Sequence, residues 1–254
     1  MTILDEIVAH KRDEVARKRT QGQRYDLNGL PPTRDFASSL RGEGISMITE
    51  IKRCSPSSGE IRGGADPTQI ATIYEKNGAA AISVLTDRKY FGGRDEFVAL
   101  VKGVTDLPVL RKEFLIDPIQ IYESRALGAD AILLIASILD RTEINDFLNL
   151  AEEVGLSCLV EVHSEDDLEK VLRTKAQVIG INNRNLSTLT VDMTTSLRLK
   201  SLIPAGIITV SESGLKERED ILMLEAAAFD AVLIGESLMD ASDIGAKLRE
   251  LRGR

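Results

Sequence analysis

Eight short β-forming runs recur along this chain, each followed by a polar segment with helical patterning, and this alternation constrains the fold more than any other feature. The runs predict strands at Ile45–Ile51, Ala80–Leu85, Pro108–Lys112, Ala131–Ile135, Cys158–Val162, Val178–Asn182, Ile207–Ser211 and Ala231–Ile234. Helices are expected over Pro67–Asn77, Asp95–Lys102, Pro118–Leu127, Asp140–Val154, Glu165–Arg173, Thr194–Leu202, Lys216–Ala226 and Asp240–Arg252. Asp66-Pro67 and Asp117-Pro118 each set an aspartate at the cap and a proline at the first helical position. Gly78, Gly128 and Gly155 supply stop signals at helix ends.

Near-continuous apolar strands joined by helical crossovers imply parallel pairing with both faces of the sheet covered. Eight such units in roughly 200 residues suit a closed (β/α)8 barrel, the TIM-barrel architecture of the α/β class. A doubly wound open sheet would more often carry a glycine-rich phosphate loop after its first strand, and none is visible. Residues 1–254 are read as one barrel domain, with residues 1–44 as an N-terminal helical extension packed on it. Met1–Arg19 reads as a charged amphipathic helix serving as a lid or packing element, and Thr33-Arg34-Asp35-Phe36 starts a second, shorter one.

Composition excludes several function classes. A net charge of −8, no tryptophan and only 4% aromatic residues argue against a nucleic-acid surface, which needs a basic footprint and stacking platforms. No apolar stretch approaches the roughly 20 residues that span a bilayer, and Met1–Thr20 lacks the apolar centre of a signal peptide. Cys54 and Cys158 are too few for a disulfide framework, so a reducing, cytoplasmic setting is expected. His10 and His163 are the only histidines, and no Cys/His spacing matches a zinc site.

Polar residues gather where barrel enzymes place their chemistry, at the C-terminal ends of the strands. The first strand ends in Glu50 and Lys52, both on the face of Ile48. Such buried charges are costly unless paired or working. Ser55-Pro56-Ser57-Ser58-Gly59 then adds hydroxyls and turn residues suited to holding an anion. Alternation sets Leu110, Lys112 and Phe114 on one face, Leu159, Glu161 and His163 on another, and Gly180, Asn182 and Arg184 on a third. Ser213-Gly214 and Gly235-Glu236-Ser237 follow the last two strands, the usual phosphate-binding place of this fold.

Taken singly, each residue has a plainer reading. Lys112 alone is a rim charge, Glu50 with Lys52 an interior ion pair, Glu161 a helix cap, and Asn182 with Arg184 a turn closure. His163 reads as a hydrogen-bonded rim residue, and the two cysteines as small buried side chains. Their joint alignment at one end of one barrel is what favours a site.

These segments together resemble the indole-3-glycerol-phosphate synthase family over nearly the whole chain. The resemblance is carried by TEIKRCSPSSG (Thr49 to Gly59), SVLTDRKYFGG (Ser83 to Gly93), VLRKEFLID (Val109 to Asp117) and LVEVH (Leu159 to His163). It continues in GINNRNL (Gly180 to Leu186), SESGL (Ser211 to Leu215) and LIGESLM (Leu233 to Met239). It implies a carboxy-lyase of tryptophan biosynthesis that converts 1-(2-carboxyphenylamino)-1-deoxyribulose 5-phosphate to indole-3-glycerol phosphate, CO2 and water. It implies no metal and no organic cofactor, and allows association with other tryptophan-pathway enzymes.

By the same resemblance Lys112 is the general acid, and Glu161, Lys52 and Glu50 serve proton traffic at dehydration, with Lys52 also contacting the substrate carboxylate. Asn182 orients the anthranilate and Ser213 is a polar contact near the ketose. Arg184, Phe91, Phe114, Leu133 and Leu186 bind substrate, while Ser55, Gly214, Gly235 and Glu236 cradle its phosphate. Cys54, Ser58 and Glu113 depart from the family pattern. Alternation points Glu113 outward, so little effect is expected of it. The mouth lysines are expected to feel burial pulling their pKa down and carboxylates pushing it up, with Lys52 set among Glu50 and Glu161. A Schiff-base aldolase-type barrel using Lys112 and a non-catalytic barrel scaffold are the rival readings.

Overall fold

The computed structural model describes residues 2–186 and 188–254. Eight strands form the barrel: β1 (Ser46–Ile51), β2 (Ala81–Leu85), β3 (Val109–Lys112), β4 (Ala131–Ile135), β5 (Ser157–Val162), β6 (Val178–Asn182), β7 (Ile208–Glu212) and β8 (Ala231–Ile234). They pair in parallel in chain order, and β8 closes on β1 with Ile48 opposite Leu233. Three strands have the expected bounds, four move by one residue at one end, and β7 shifts by one at both ends, running Ile208–Glu212. Its last residue proves central to the site.

Barrel closure divides the apolar residues into two cores. Ile48, Leu110, Leu133, Leu159, Val178, Val210 and Leu233 fill the interior. Met47, Ile82, Ile132, Val160, Ile179 and Val232 face the surrounding helices. This is the period of two of a strand buried on both faces. The helices lie where aspartate caps them: Asp66 accepts from Thr68 N, Asp117 from Ile119 N, and Asp140 joins Glu143 in a capping box.

The extension contributes two helices, α1 (Ile3–Thr20) and α2 (Phe36–Ser39). Met1, the expected start of the first, lies outside the described residues; Thr2 caps α1 in a capping box with Asp5. Phe36 and Leu40 are fully buried and join the apolar cluster of the barrel interior.

The expected Asp240–Arg252 helix starts only at Ile244, and a separate short helix, Glu236–Met239, precedes it. Asp243 accepts from Ala246 N and starts the longer helix, so the polar Asp240–Asp243 stretch separates the two. Likewise Lys216 and Glu217 donate to Asp220 and precede the helix that begins at Arg218. A short antiparallel pairing of Cys54-Ser55 with Gly59-Glu60 follows β1, and a short helix Arg88–Phe91 follows β2.

Candidate active site

The odd-numbered strands β1, β3, β5 and β7 deliver Glu50, Lys112, Glu161 and Glu212 to the barrel mouth. Alternate strands supply one layer of inward side chains in this architecture, so these groups meet because of the stagger of the barrel. The layer holds three carboxylates and one ammonium. Lys112 Nζ donates to Glu161 Oε2 at 2.9 Å and to Glu212 Oε2 at 2.6 Å. All of these side chains are nearly buried.

Burial alone would pull the Lys112 ammonium down, but Glu161, Glu212 and Glu50 together push it above the usual lysine range. The expected competition is thereby decided in favour of the charged form. Burial opposes ionisation of both partners, yet they settle differently. Lys112 and His163 hold Glu161 below the ordinary carboxylate range. For Glu212, burial and the Glu161 charge outweigh Lys112, and its carboxyl is raised. Two carboxylates around one cation therefore share the work as one anion and one acid.

Lys52 extends from the end of β1, 3.7 Å from Glu50 Oε1 and 3.8 Å from Glu236 Oε2. The structure thus pairs it with Glu50 and Glu236 and not with Glu161, because Glu161 is engaged by Lys112 and faces His163. Ser83 Oγ holds the other Glu50 oxygen at 3.3 Å. Arg184 donates to Leu189 O at 3.1 Å and approaches Glu236 Oε2 at 3.4 Å. The Glu236 carboxylate therefore lies beside both mouth cations. Asn182 Oδ1 accepts from Ser213 Oγ at 2.8 Å and from Arg184 N at 3.0 Å, joining the ends of β6 and β7.

One cavity is lined by Glu50, Lys52, Lys112, Glu161, Asn182, Arg184 and Ser213, together with Ser55, Phe91, Phe114, Leu133 and Leu186. Gly214, Gly235 and Glu236 do not line it; they follow the C-terminal ends of β7 and β8. Gly214 is in the left-handed region at φ +87°, and a Cβ there would come 2.6 Å from Val191 Cγ1. The Phe91 and Phe114 rings pack with centroids 6.0 Å apart, and Ile3, Leu4 and Ile7 of α1 complete the apolar wall.

Two features escape the sequence pattern. The expected strand stops at Ser211 and leaves Glu212 outside it; alternation from Val210 is the signal that identifies it as inward. Glu113 does point away from the barrel interior, but it is buried and functional in packing. Its carboxylate lies 3.1 Å from Lys11 Nζ of α1, accepts from Phe114 N at 2.8 Å and from Thr86 Oγ1 at 2.9 Å. Lys11 is itself only 3% exposed and also pairs with Asp87 at 2.9 Å and Glu14 at 2.7 Å. Glu113 is thus buried and paired although it faces outward, because α1 covers that face.

The chain matches a protein-family model described as indole-3-glycerol phosphate synthase over residues 4–251. A protein of that description from Chlorobium chlorochromatii (strain CaD3) is 47% identical over 251 residues, covering 96% of this chain and 98% of the relative. Another from Legionella pneumophila (strain Paris) is 45% identical over 253 residues, covering 98% of each. Among solved structures, a 3-hexulose-6-phosphate synthase superposes with a TM-score of 0.67 at 15% identity, covering 82% of this chain and 99% of that one. That likeness speaks to the fold alone.

Proposed function

This chain belongs to the indole-3-glycerol phosphate synthase family, and from that premise we propose how its residues divide the reaction. The protein is a decarboxylating lyase of tryptophan biosynthesis that acts on a phosphorylated substrate. It closes the ring of 1-(2-carboxyphenylamino)-1-deoxyribulose 5-phosphate, releases CO2 and expels water. The observation that carries the division of labour is the Lys112 ammonium held between Glu161 and Glu212 inside an apolar-walled cavity.

Ring closure turns the ketone oxygen into an alkoxide, which needs a proton as it forms. Lys112, kept charged by its carboxylates, gives that proton. Glu212, raised and close at 2.6 Å, favours the return of Lys112 to the charged form. Phe91, Phe114, Leu133 and Leu186 supply an apolar wall for the aromatic ring, and loss of the carboxylate as uncharged CO2 is favoured there. Lys52, beside Glu50, holds the substrate carboxylate and then protonates the departing hydroxyl. Glu161, held ionised, takes the proton from the ring carbon that completes the indole.

Asn182 and Ser213, joined by their hydrogen bond, orient the ketose and anthranilate, with Arg184 beside them. The phosphate goes to the β7 and β8 ends, at Ser55 and the backbone N–H groups of Gly214, Gly235 and Glu236, with Lys52 and Arg184 in reach as counter-charges. Both cysteines are free, which is in keeping with a reducing, cytoplasmic setting, and burial pushes the Cys158 thiol up to about 12, which leaves it unreactive. Among the described residues no helix is long and apolar enough to cross a membrane.

A Schiff-base role for Lys112 needs a neutral amine, which its two carboxylates oppose. The deciding experiment supplies the anilino-ribulose phosphate to the purified protein and follows the indole chromophore. Product that forms with wild type and vanishes with Lys112→Met supports the assignment. A borohydride-trapped adduct on Lys112 would replace it with the aldolase-type chemistry.

A further inference from the structure

The reaction consumes a proton that the buried site must obtain from solvent. The substrate carboxylate leaves as neutral CO2, while dehydration gives one proton to the hydroxyl and takes one from carbon. One proton is therefore taken up per turnover, and it enters when Lys112 protonates the alkoxide. Lys112, Glu161 and Glu212 all lie at the floor of the cavity that the substrate fills.

We propose that His163 relays this proton from a second, polar cavity to Glu161, and through Glu161 to Lys112. The inference rests on the reaction assigned above. Glu161 uses Oε2 for Lys112, and its Oε1 faces His163 Nε2 at 3.3 Å. Glu161 lines the reaction cavity and His163 the neighbouring one, and the two cavities also share Leu4, Asn182, Arg184 and Leu186 as walls.

The second cavity, of about 410 Å³, is walled by Ser164, Asp167, Asn183, Asp192, Thr195 and Arg198. Asp192 and Arg198 are exposed at its edge, and its polar walls suit several waters. Neither His163 ring nitrogen has an aligned hydrogen bond among the described residues, though both are buried. The rim residue expected from sequence thus has its ring mostly buried between a carboxylate and a polar cavity. Its backbone is fixed, since His163 N donates to Asp167 Oδ2 at 3.2 Å.

The charged groups facing the ring are Glu161 on its own strand, Asp167 on the following helix and Glu212 on β7. Against burial they favour the imidazolium, which suits a group that must carry a proton inward. In the relay, His163 passes its Nε2–H proton to Glu161 Oε1, and the ring then turns toward the second cavity to take a proton from water there, since neither nitrogen reaches solvent in the resting arrangement. The Glu161 carboxyl then gives its proton to the neutral amine that Lys112 becomes after protonating the alkoxide. No bond other than these N–H and O–H bonds changes. His163 acts through Glu161 and is a positioning residue, not a catalytic one.

The test uses the full chain with His163→Asn, His163→Gln and His163→Ala, each checked for folding by circular dichroism. Product formation is followed across pH, with and without added imidazole. The relay predicts a fall in kcat of about tenfold or more with KM little changed, and loss of the pH limb belonging to the imidazole. It also predicts that imidazole in the buffer restores kcat to His163→Ala saturably. Wild-type kcat in the Asn and Gln variants would overturn the relay, as would a loss that imidazole leaves untouched and the pH profile does not reflect. If His163→Ala does not fold, the pH profiles of the Asn and Gln variants decide alone. Failure of the wild-type chain to form product is a different result, and defeats the assigned reaction instead.

Discussion

Lys112 donates to Glu212 across the barrel at 2.6 Å, a shorter contact than its 2.9 Å bond to Glu161. The Lys112 ammonium is thereby held by two carboxylates whose titrations are driven apart. Such splitting is how a pocket keeps both a proton donor and a base near neutral pH.

Glu212 gives the molecule a pH signature. Burial and Glu161, opposed by Lys112, push its carboxyl from the ordinary 4.5 up to about 8. A raised folded pKa contributes stability that is complete below the unfolded value and is lost as pH rises through the folded one. Stability should therefore decline between about pH 4.5 and about pH 8, and Glu212→Gln should flatten that slope. His163, also raised, acts in the same direction and leaves a residual slope. Denaturant midpoints measured at several pH values check this; an unchanged slope in the variant would count against the assignment.

Removing the cation should cost both chemistry and stability. Lys112→Met is expected to lower kcat/KM by ~10²–10⁴. It also strands the buried, ionised Glu161 carboxylate, a loss of ~3–5 kcal/mol. Adding Glu161→Gln should recover part of the stability and none of the activity. Urea unfolding and steady-state kinetics on the single and double variants separate the two effects.

Gly180 is a space requirement for the Glu212 carboxyl. A Cβ there would lie 2.1 Å from Glu212 Oε1, although the backbone tolerates alanine in a strand. Gly180→Ala should displace Glu212 from Lys112 and reduce kcat by about tenfold or more, with the far-UV spectrum unchanged. Wild-type kinetics in a folded variant would show that the Glu212 contact is dispensable.

The N-terminal helix is anchored by buried charge. Lys11→Met would leave Asp87 and Glu113 without their cation, costing ~3–5 kcal/mol. Because Ile3, Leu4 and Ile7 of α1 wall the reaction cavity, KM should rise more than kcat falls. Hydrogen exchange should show α1 losing protection before the barrel. Equal protection of α1 in variant and wild type would refute the anchoring role.

Much of this was legible in the chain itself. Strand positions followed from apolar runs, because a strand covered on both faces has few polar interruptions. Helix starts followed from aspartate caps, whose chemistry is local. Glu50, Lys112, Glu161 and Asn182 could be placed on inward faces by counting in twos. The same counting from Val210 identifies Glu212, but a strand boundary set one residue short hid it.

Local pattern determined, then, which elements form, which face each side chain takes, and that charges gather at one barrel end. Only the closed barrel decided which charges meet. Stagger between strands far apart in sequence brings Glu212 to Lys112 and leaves Lys52 to Glu50 and Glu236. Docking of α1 decided that Glu113 is buried rather than solvated. Proton affinities depend on distance and burial, and neither quantity exists until the chain has closed on itself.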